Sequence, residues 1–263
     1  MSYDFQITNY EVSSEKILHP MTFVMLGDLH SAEHGADNCD LIAAVREAEP
    51  DAVLCVGDML VGKSYARIPE TVRVMSALNQ IAPLFTVNGN HCTQLREFYP
   101  RLYRRYMRGL KNAGVRVLNN RDMVFEIAGN PVHLYGIELS RELYRKFRIP
   151  FMPSDEVEQL AGRCDPEVFS VLLAHNPQFA RRYMKWGADL SVCGHFHGGV
   201  MRLFGNRVLV SPYGIPFPRY GYGKYTAGGK TVIVTSGLGE HTIPIRIHNP
   251  MEIAVIRVRR GKP

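Results

Sequence analysis

Residues of the types that hold metal ions recur in one kind of place along this chain. Asp28 and His30 close the segment VMLGDLH, Asp58 closes LCVGD, Asn90 and His91 close TVNGNH, His175 closes LLAH, and His195 and His197 close SVCGHFH. Each segment is a short apolar run that ends in polar groups. Seven candidate ligands, Asp28, His30, Asp58, Asn90, His175, His195 and His197, are too many for one tetrahedral ion and suit two ions sharing a carboxylate. Imidazole mixed with carboxylate and amide oxygen favours Mn, Fe or Zn over an all-oxygen Ca or Mg cage. Gly27, Gly57, Gly89 and Gly194 each precede a ligand, where a missing Cβ would let backbone and ion approach closely.

Such residues can act together only if the chain brings those run ends to one rim. TFVMLG (22–27), DAVLCVG (51–57) and PLFTVNG (83–89) read as buried strands. Between them, 39–50 reads as a helix with Leu41, Ile42 and Val45 on one face, and 69–81 as a second helix. Strands and helices alternating at this spacing imply βαβ units and a parallel sheet, and in open α/β sheets ligands bind outside the carboxyl ends of the strands. The second half is richer in strands: GVRVLNN, DMVFEIAG, PVHLYGIEL, VFSVLLAH, ADLSVCGH, NRVLVSPYG, KTVIVTSG and MEIAVIRVR. A single twisted sheet seldom carries more than about ten strands, so two sheets packed face to face with helices outside are expected. The stretch SPYGIPFPRYGYGKYTAGGK (211–230) reads as a long surface loop.

The chain has 263 residues, 46% hydrophobic and 21% charged, ordinary for a soluble globular protein with a substantial core. One domain spanning 1–263 is expected, with the metal motifs in 28–197 and C-terminal strands and a loop in 198–263. The five cysteines, Cys39, Cys55, Cys92, Cys164 and Cys193, form no C-x-x-C pair, which argues against a disulfide framework or a cysteine zinc site. No run reaches the roughly eighteen apolar residues of a membrane helix, and the start, MSYDFQITNYEVSSEK, lacks a basic segment followed by an apolar one. A cytoplasmic location is therefore expected. Thirty-one Lys and Arg against 25 Asp and Glu give a net charge of +6, compatible with an anionic substrate, nucleic acid or a membrane surface.

D-x-H (28–30), G-D (57–58), G-N-H (89–91), a lone His175 and G-H-x-H (194–197), in that order, resemble the calcineurin-like metallophosphoesterase superfamily. The tail GHFHGG, YGIPFPRYGYGKY and TSGLGEHTIPIRIHNPMEI is similar to a small bacterial branch acting on phosphodiesters or lipid-linked diphosphates, often behind an N-terminal membrane or export segment. The resemblance implies an α/β fold, a four-layer α/β/β/α sandwich of two mixed sheets flanked by helices. It also implies one metal held by Asp28, His30 and His197, a second by Asn90, His175 and His195, and Asp58 bridging them. His91 would face the substrate and protonate the leaving oxygen or stabilise developing charge. With two ions about 3.5–4 Å apart, a bridging water would serve as a hydroxide nucleophile. Manganese is the metal expected to support activity in vitro. Where many members have an acidic residue after G-N-H, this chain has Cys92, a residue that cannot steady the histidine in the same way.

Other residues carry weaker readings. His34 and His241 are candidates for lining the substrate cleft, whereas His133 reads as a strand side chain and His19 and His248 as surface groups. Arg141, Arg145 and Lys146, in SRELYRKFRIPFMP (140–153), fall where related enzymes carry a cap loop and are candidates to meet an anionic substrate. The basic segment 95–121 interleaves arginines with Tyr99, Tyr103 and Tyr106 and could grip nucleic acid or lipid head groups. Leu102, Tyr106 and Leu110 are also at helical spacing, which favours a helix with those residues in the core and a solvated basic face. The expected activity is a dinuclear phosphohydrolase, a phosphodiesterase or diphosphate hydrolase; the alternatives are a non-catalytic metal-binding scaffold and a nuclease or nucleic-acid binder.

Overall fold

Four apolar residues in succession, Phe23 to Leu26, leave a strand without a polar face, and such a strand needs both faces covered. In the computed structural model, which describes residues 3–145, 150–203, 207–211, 214–240 and 245–262, this segment is strand β2 (Met21–Leu26). It lies inside a six-stranded sheet. On one side follow β3 (Ala52–Cys55), β4 (Leu84–Thr86) and β5 (Arg116–Val117), all parallel. On the other side lie β14 (Met251–Arg260), antiparallel to β2, and β1 (Phe5–Ser14), parallel to β14.

The second sheet runs β12 (Gly223–Ala227), β13 (Lys230–Val234), β9 (Leu190–Cys193), β8 (Phe169–Ala174), β7 (Asn130–Ile137) and β6 (Arg121–Ile127). Its four inner strands are parallel and its two edge strands antiparallel to their neighbours. Period-two alternation sorts the side chains. Phe23 and Met25 of β2 join Leu54, Phe85, Val171, Leu173 and Val192 in the core between the sheets. Val24 and Leu26 point the opposite way, against α1 (Cys39–Glu47), α2 (Ile68–Ile81), α3 (Asn90–Phe98) and α4 (Pro100–Asn112). The outer face of the second sheet is covered by α5 (Glu156–Ala161) and α6 (Ala180–Trp186), through Val157, Ala180 and Tyr183. The result is the expected arrangement of two mixed sheets flanked by helices.

One expectation about elements needs correction, and one about the basic segment is met. The stretch 211–230 is not one surface loop: it ends in β12, and Tyr220 and Tyr222 are buried. A separate two-stranded ribbon, β10 (Met201–Leu203) and β11 (Arg207–Val210), precedes it. In the basic segment, Tyr106 and Leu110 are buried while Arg101, Arg104, Arg105 and Arg108 are exposed, so α4 is an amphipathic helix with a solvated cationic face. Among the described residues no helix is long and apolar enough to cross a membrane.

Candidate metal centre

Just past the carboxyl ends of β2, β3, β4, β8 and β9 the chain delivers Asp28, Asp58, Asn90, His175 and His195, and His30 and His197 follow two residues behind the first and last of these. Both sheets contribute, so the site straddles their junction. The loops are tied by backbone bonds: Asp28 N donates to Gly57 O and His30 N to Asp58 O, both at 3.0 Å, and Gly194 N donates to His175 O at 3.0 Å. These sharp turns force left-handed backbone on residues that are not glycine. Asp28, His30, Asp58, His195 and His197 have φ of 51°, 50°, 51°, 69° and 48°. Each such residue stores about 1–3 kcal/mol of strain that the surrounding packing must offset.

Two of the glycines before the candidate ligands sit hard against the side chains of other candidates. A Cβ on Gly194 would lie 2.5 Å from Asp28 Oδ2, and one on Gly89 would collide with the Asp58 carboxylate and His175 Nε2. Their bareness makes room for the ligand side chains themselves.

The donor atoms converge. Asp28 Oδ1 lies 3.6 Å from His197 Nε2, 3.8 Å from His175 Nε2 and 3.9 Å from His30 Nε2, and the Nε2 atoms of His30 and His197 are 3.1 Å apart. Asp58 Oδ2 lies 3.0 Å from His175 Nε2. Three groups of ligand atoms fall within 4.8 Å: Asp28, His30 and His197; Asp58, His175 and His195; and His30, Asp58 and His91. The third brings in His91, which was not expected among the ligands.

Hydrogen bonds on the far side of the rings set their orientation. His175 Nδ1 donates to Val56 O at 2.7 Å, and His197 Nδ1 lies 3.2 Å from Gly239 O and 3.4 Å from Arg246 Nη2, which turns Nε2 of each ring to the centre. Asp28 Oδ2 accepts the His195 amide at 2.7 Å and Asp58 Oδ1 the His91 amide at 2.9 Å. What remains is a set of buried atoms without hydrogen-bond partners: Asp28 Oδ1, Asn90 Oδ1 and His175 Nε2, the last close to Asp58 but poorly aligned with it. Buried polar atoms are rarely left so. A carboxylate oxygen, an amide oxygen and an imidazole nitrogen left without partners, beside the Asp58 carboxylate, fit cations of the Mn, Fe or Zn kind.

Electrostatics agree with that donor chemistry. Burial, reinforced by the Asp58 charge, pushes the Asp28 carboxyl up to about 7. Burial works to raise Asp58 too, yet the combined charges of His175, His91 and His30 and the contact with His175 hold it far below the ordinary carboxylate range. Burial works to lower His175, but the Asp58 and Asp28 carboxylates prevail and raise it to about 9. The two buried carboxylates flank His175, Asp28 Oδ1 at 3.8 Å and Asp58 Oδ2 at 3.0 Å from its Nε2.

His91 packs edge-on against His30, ring centroids 4.5 Å apart, and its Nδ1 accepts the Gly62 amide at 3.0 Å. Accepting at Nδ1 places the proton of a neutral imidazole on Nε2. The backbone amide of Gly62 thereby supplies a constraint on the ring. Cys92 is a buried core thiol, raised by burial, and packs under α3 with Leu95.

Arg141 and Arg145 line an open cleft of about 720 Å³ together with Asn90, Gln94, Ser140 and Tyr144. They are paired with Glu97 and Glu142, both at 2.9 Å. His34 does not line a cleft: it is 1% exposed, with Nε2 on Leu238 O at 2.7 Å and Nδ1 on Asp4 at 2.8 Å. Four residues beyond His30 the chain has turned under the rim, so nearness in sequence misplaced this side chain. Lys146 and His241 lie outside the described residues. His133 is a strand residue bonded across the β6–β7 pair to Asp122, as expected.

Two neighbours of the centre escaped the sequence reading. Tyr144 packs against the His195 ring at 5.0 Å, and Arg246 bonds to the carbonyls of Ser236 and Gly239. Neither stands at a strand end or in a recognisable spacing.

The calcineurin-like phosphoesterase family profile matches residues 21–199, which hold all seven candidate ligands. The chain is 28% identical over 269 residues to an uncharacterized metallophosphoesterase of Aquifex aeolicus (strain VF5), covering 98% of this chain and 93% of the relative. It is 28% identical over 229 residues to phosphodiesterase YaeI of Escherichia coli (strain K12), covering 84% and 76%. The solved Haemophilus influenzae NAD nucleotidase NadN superposes with a TM-score of 0.53 at 13% identity, over 84% of this chain and 46% of that one. The Thermus thermophilus sulfate thiohydrolase SoxB superposes with a TM-score of 0.51 at 12% identity, over 83% and 52%. Identities this low bear on the fold alone, and this chain spans about half the length of either structure.

Proposed function

Because the chain belongs to the calcineurin-like phosphoesterase family and is a hydrolase acting on phosphoester bonds, we propose that it is a two-metal phosphohydrolase whose substrates are phosphodiesters or diphosphates. The observation that carries this reading is the junction of donor groups at Asp28 and Asp58, with buried oxygens left for cations. Asp28, His30 and His197 would hold one ion, Asn90, His175 and His195 the other, and Asp58 would face both. When bound, the ions supply a nucleophile from water near neutral pH and neutralise charge on the phosphoryl oxygens.

The chain's own groups supply the rest. His91, with its proton directed to Nε2 by the Gly62 amide, donates that proton to the leaving oxygen as its bond to phosphorus breaks. Arg141 and Arg145 draw the anionic substrate into the adjoining cleft. The strained, cross-linked loops hold the donors in place before substrate arrives, so little reorganisation is left for the reaction itself. The preference for diesters is supported by likeness to phosphodiesterase YaeI and by the second histidine of G-H-x-H.

The test is hydrolysis of bis-p-nitrophenyl phosphate by protein stripped with chelator and then given Mn²⁺, with the monoester run alongside. Mn²⁺-restored cleavage favouring the diester is expected. Cleavage that survives chelation, or that favours the monoester, would overturn the reading.

A further inference from the structure

From Leu190 to Gly239 the chain carries Arg202, Arg207, Arg219, Lys224 and Lys230 and not one aspartate or glutamate. Two of these cations are spent inside the fold: Arg202 is buried over the Tyr222 ring, 3.8 Å from its centroid, and Lys230 pairs with Asp189 at 2.8 Å. Arg207, Arg219 and Lys224 are exposed and line a single cleft with Phe217, Tyr222 and Tyr225, Lys224 also donating Nζ to the Glu11 carbonyl.

The ribbon of β10 and β11 borders this cleft, and its register decides what it shows to solvent. Met201 is paired with Val210 and Leu203 with Arg207, so these side chains share a face. Arg202 and Val208, paired between them, share the other. The second face is turned inward, with Arg202 and Val208 each 4% exposed. Ile247, bridged to Met201, extends the outer face. Beside Arg207 that face carries exposed apolar side chains: Leu203 is 44% exposed, Ile247 38%, and Ile245, two residues before it, 50%. Phe217, whose amide bonds to Leu209 O in the ribbon, is 62% exposed.

Several large apolar side chains standing together at a surface mark an interaction site. Flanked by arginines and lysine with no carboxylate in the segment, they match an interface in which apolar groups enter the acyl boundary and cations meet phosphate. We propose that the outer face of the β10–β11 ribbon docks the protein on an anionic lipid surface. The exposed arginines of α4 are a poorer candidate, because Tyr106 and Leu110 of that helix are turned into the core and leave little to insert. The ribbon begins four residues after His197, and Arg246, next to Ile247, contacts the His197 carbonyl. Docking there would lay the rim of the metal centre along the membrane.

The test is co-sedimentation of the whole chain with vesicles of phosphatidylcholine, with and without phosphatidylglycerol. Pelleting is expected only with phosphatidylglycerol present. Leu203→Ser combined with Ile247→Ser should weaken it about tenfold, and Arg207→Gln or Arg219→Gln about fivefold each. The melting temperature and the hydrolysis of a soluble diester should stay as in the parent, which separates loss of docking from loss of fold or of activity. Equal pelleting with neutral vesicles, or variants that pellet like the parent, would overturn the proposal. So would a dimer in sedimentation that the serine variants dissociate, or retention on RNA in place of vesicles.

Discussion

Arg246 and His197 converge on one backbone oxygen, the carbonyl of Gly239, which lies 3.2 Å from His197 Nδ1 and accepts Arg246 Nη2 at 2.5 Å. The same guanidinium reaches Ser236 O at 3.0 Å and His197 O at 3.4 Å. It therefore braces two irregular loops that have no strand ladder between them. Burial pulls its pKa down to about 10, which leaves it charged at neutral pH. Groups that orient a ligand in this way typically contribute about 10–100-fold in metal affinity. Arg246→Met is expected to weaken Mn²⁺ binding by that factor in a calorimetric titration, and Arg246→Lys to recover only part of it. Unchanged binding by the methionine variant would remove Arg246 from this role.

Asp58 is the carboxylate at the centre of the site, 3.0 Å from His175 Nε2 and bonded to the His91 amide. Asp58→Asn keeps the shape and removes the charge. Loss of bound Mn²⁺ and a fall in turnover of at least about 10²–10³-fold are expected, measured by metal analysis of the dialysed protein and by diester hydrolysis. Full metal content in the variant would argue that Asp58 holds His175 and not an ion.

His91→Ala separates proton transfer from metal binding. Mn²⁺ content should match the parent, while kcat falls about 10²–10⁴-fold for a substrate with an alkoxide leaving group. The drop should be smaller for p-nitrophenolate, which departs without a proton. Equal losses for both leaving groups would point to charge stabilisation in place of proton donation.

Arg141 and Arg145 are exposed and paired with Glu97 and Glu142, so each can contribute only on the scale of a screened surface charge. At about 1 kcal/mol per charge, each alanine replacement should raise KM for a diphosphate or diester about fivefold and leave kcat nearly unchanged. A KM insensitive to both replacements would place the substrate elsewhere on the rim.

The convergence of the candidate ligands was legible because strand-end geometry is written locally: an apolar run, a glycine, then a polar side chain. The two-layer sheet core was legible for the same reason, from unbroken runs such as Phe23 to Leu26. β1 was not, because FQITNYEVSS buries little beyond Phe5, Val12 and Ser14 and its polar residues hide the period. β12 hid inside a Gly- and Tyr-rich stretch, GYGKYTAGG, whose composition reads as loop even though the next segment, β13, was legible as a strand. Arg246 works through the backbone carbonyls of Ser236, Gly239 and His197 and through the His197 ring, and no spacing in the sequence records such contacts. His34 misled in the opposite direction: it follows the D-x-H motif closely, yet a turn buries it against Asp4 and Leu238.

Away from the metal centre, Asp189 ties the amino-terminal half to the second sheet. It accepts Lys16 Nζ and Lys230 Nζ, both at 2.8 Å, and the Ser170 amide at 2.9 Å. Burial works to raise its pKa, but the two ammonium groups and Ser170 outweigh burial and hold it below the ordinary value. The folded pKa is thus lower than the unfolded one, near about 3.9. The stabilisation is fully present above that unfolded value and drains away as the pH falls through the folded one. Asp189→Asn should cost about 1–2 kcal/mol at neutral pH and leave diester hydrolysis unchanged well below the melting temperature. Melting curves of parent and variant should converge as the pH drops below the carboxylate range. A gap that stays constant down to that range would show that the contribution of Asp189 comes from packing and neutral hydrogen bonds and owes nothing to its charge.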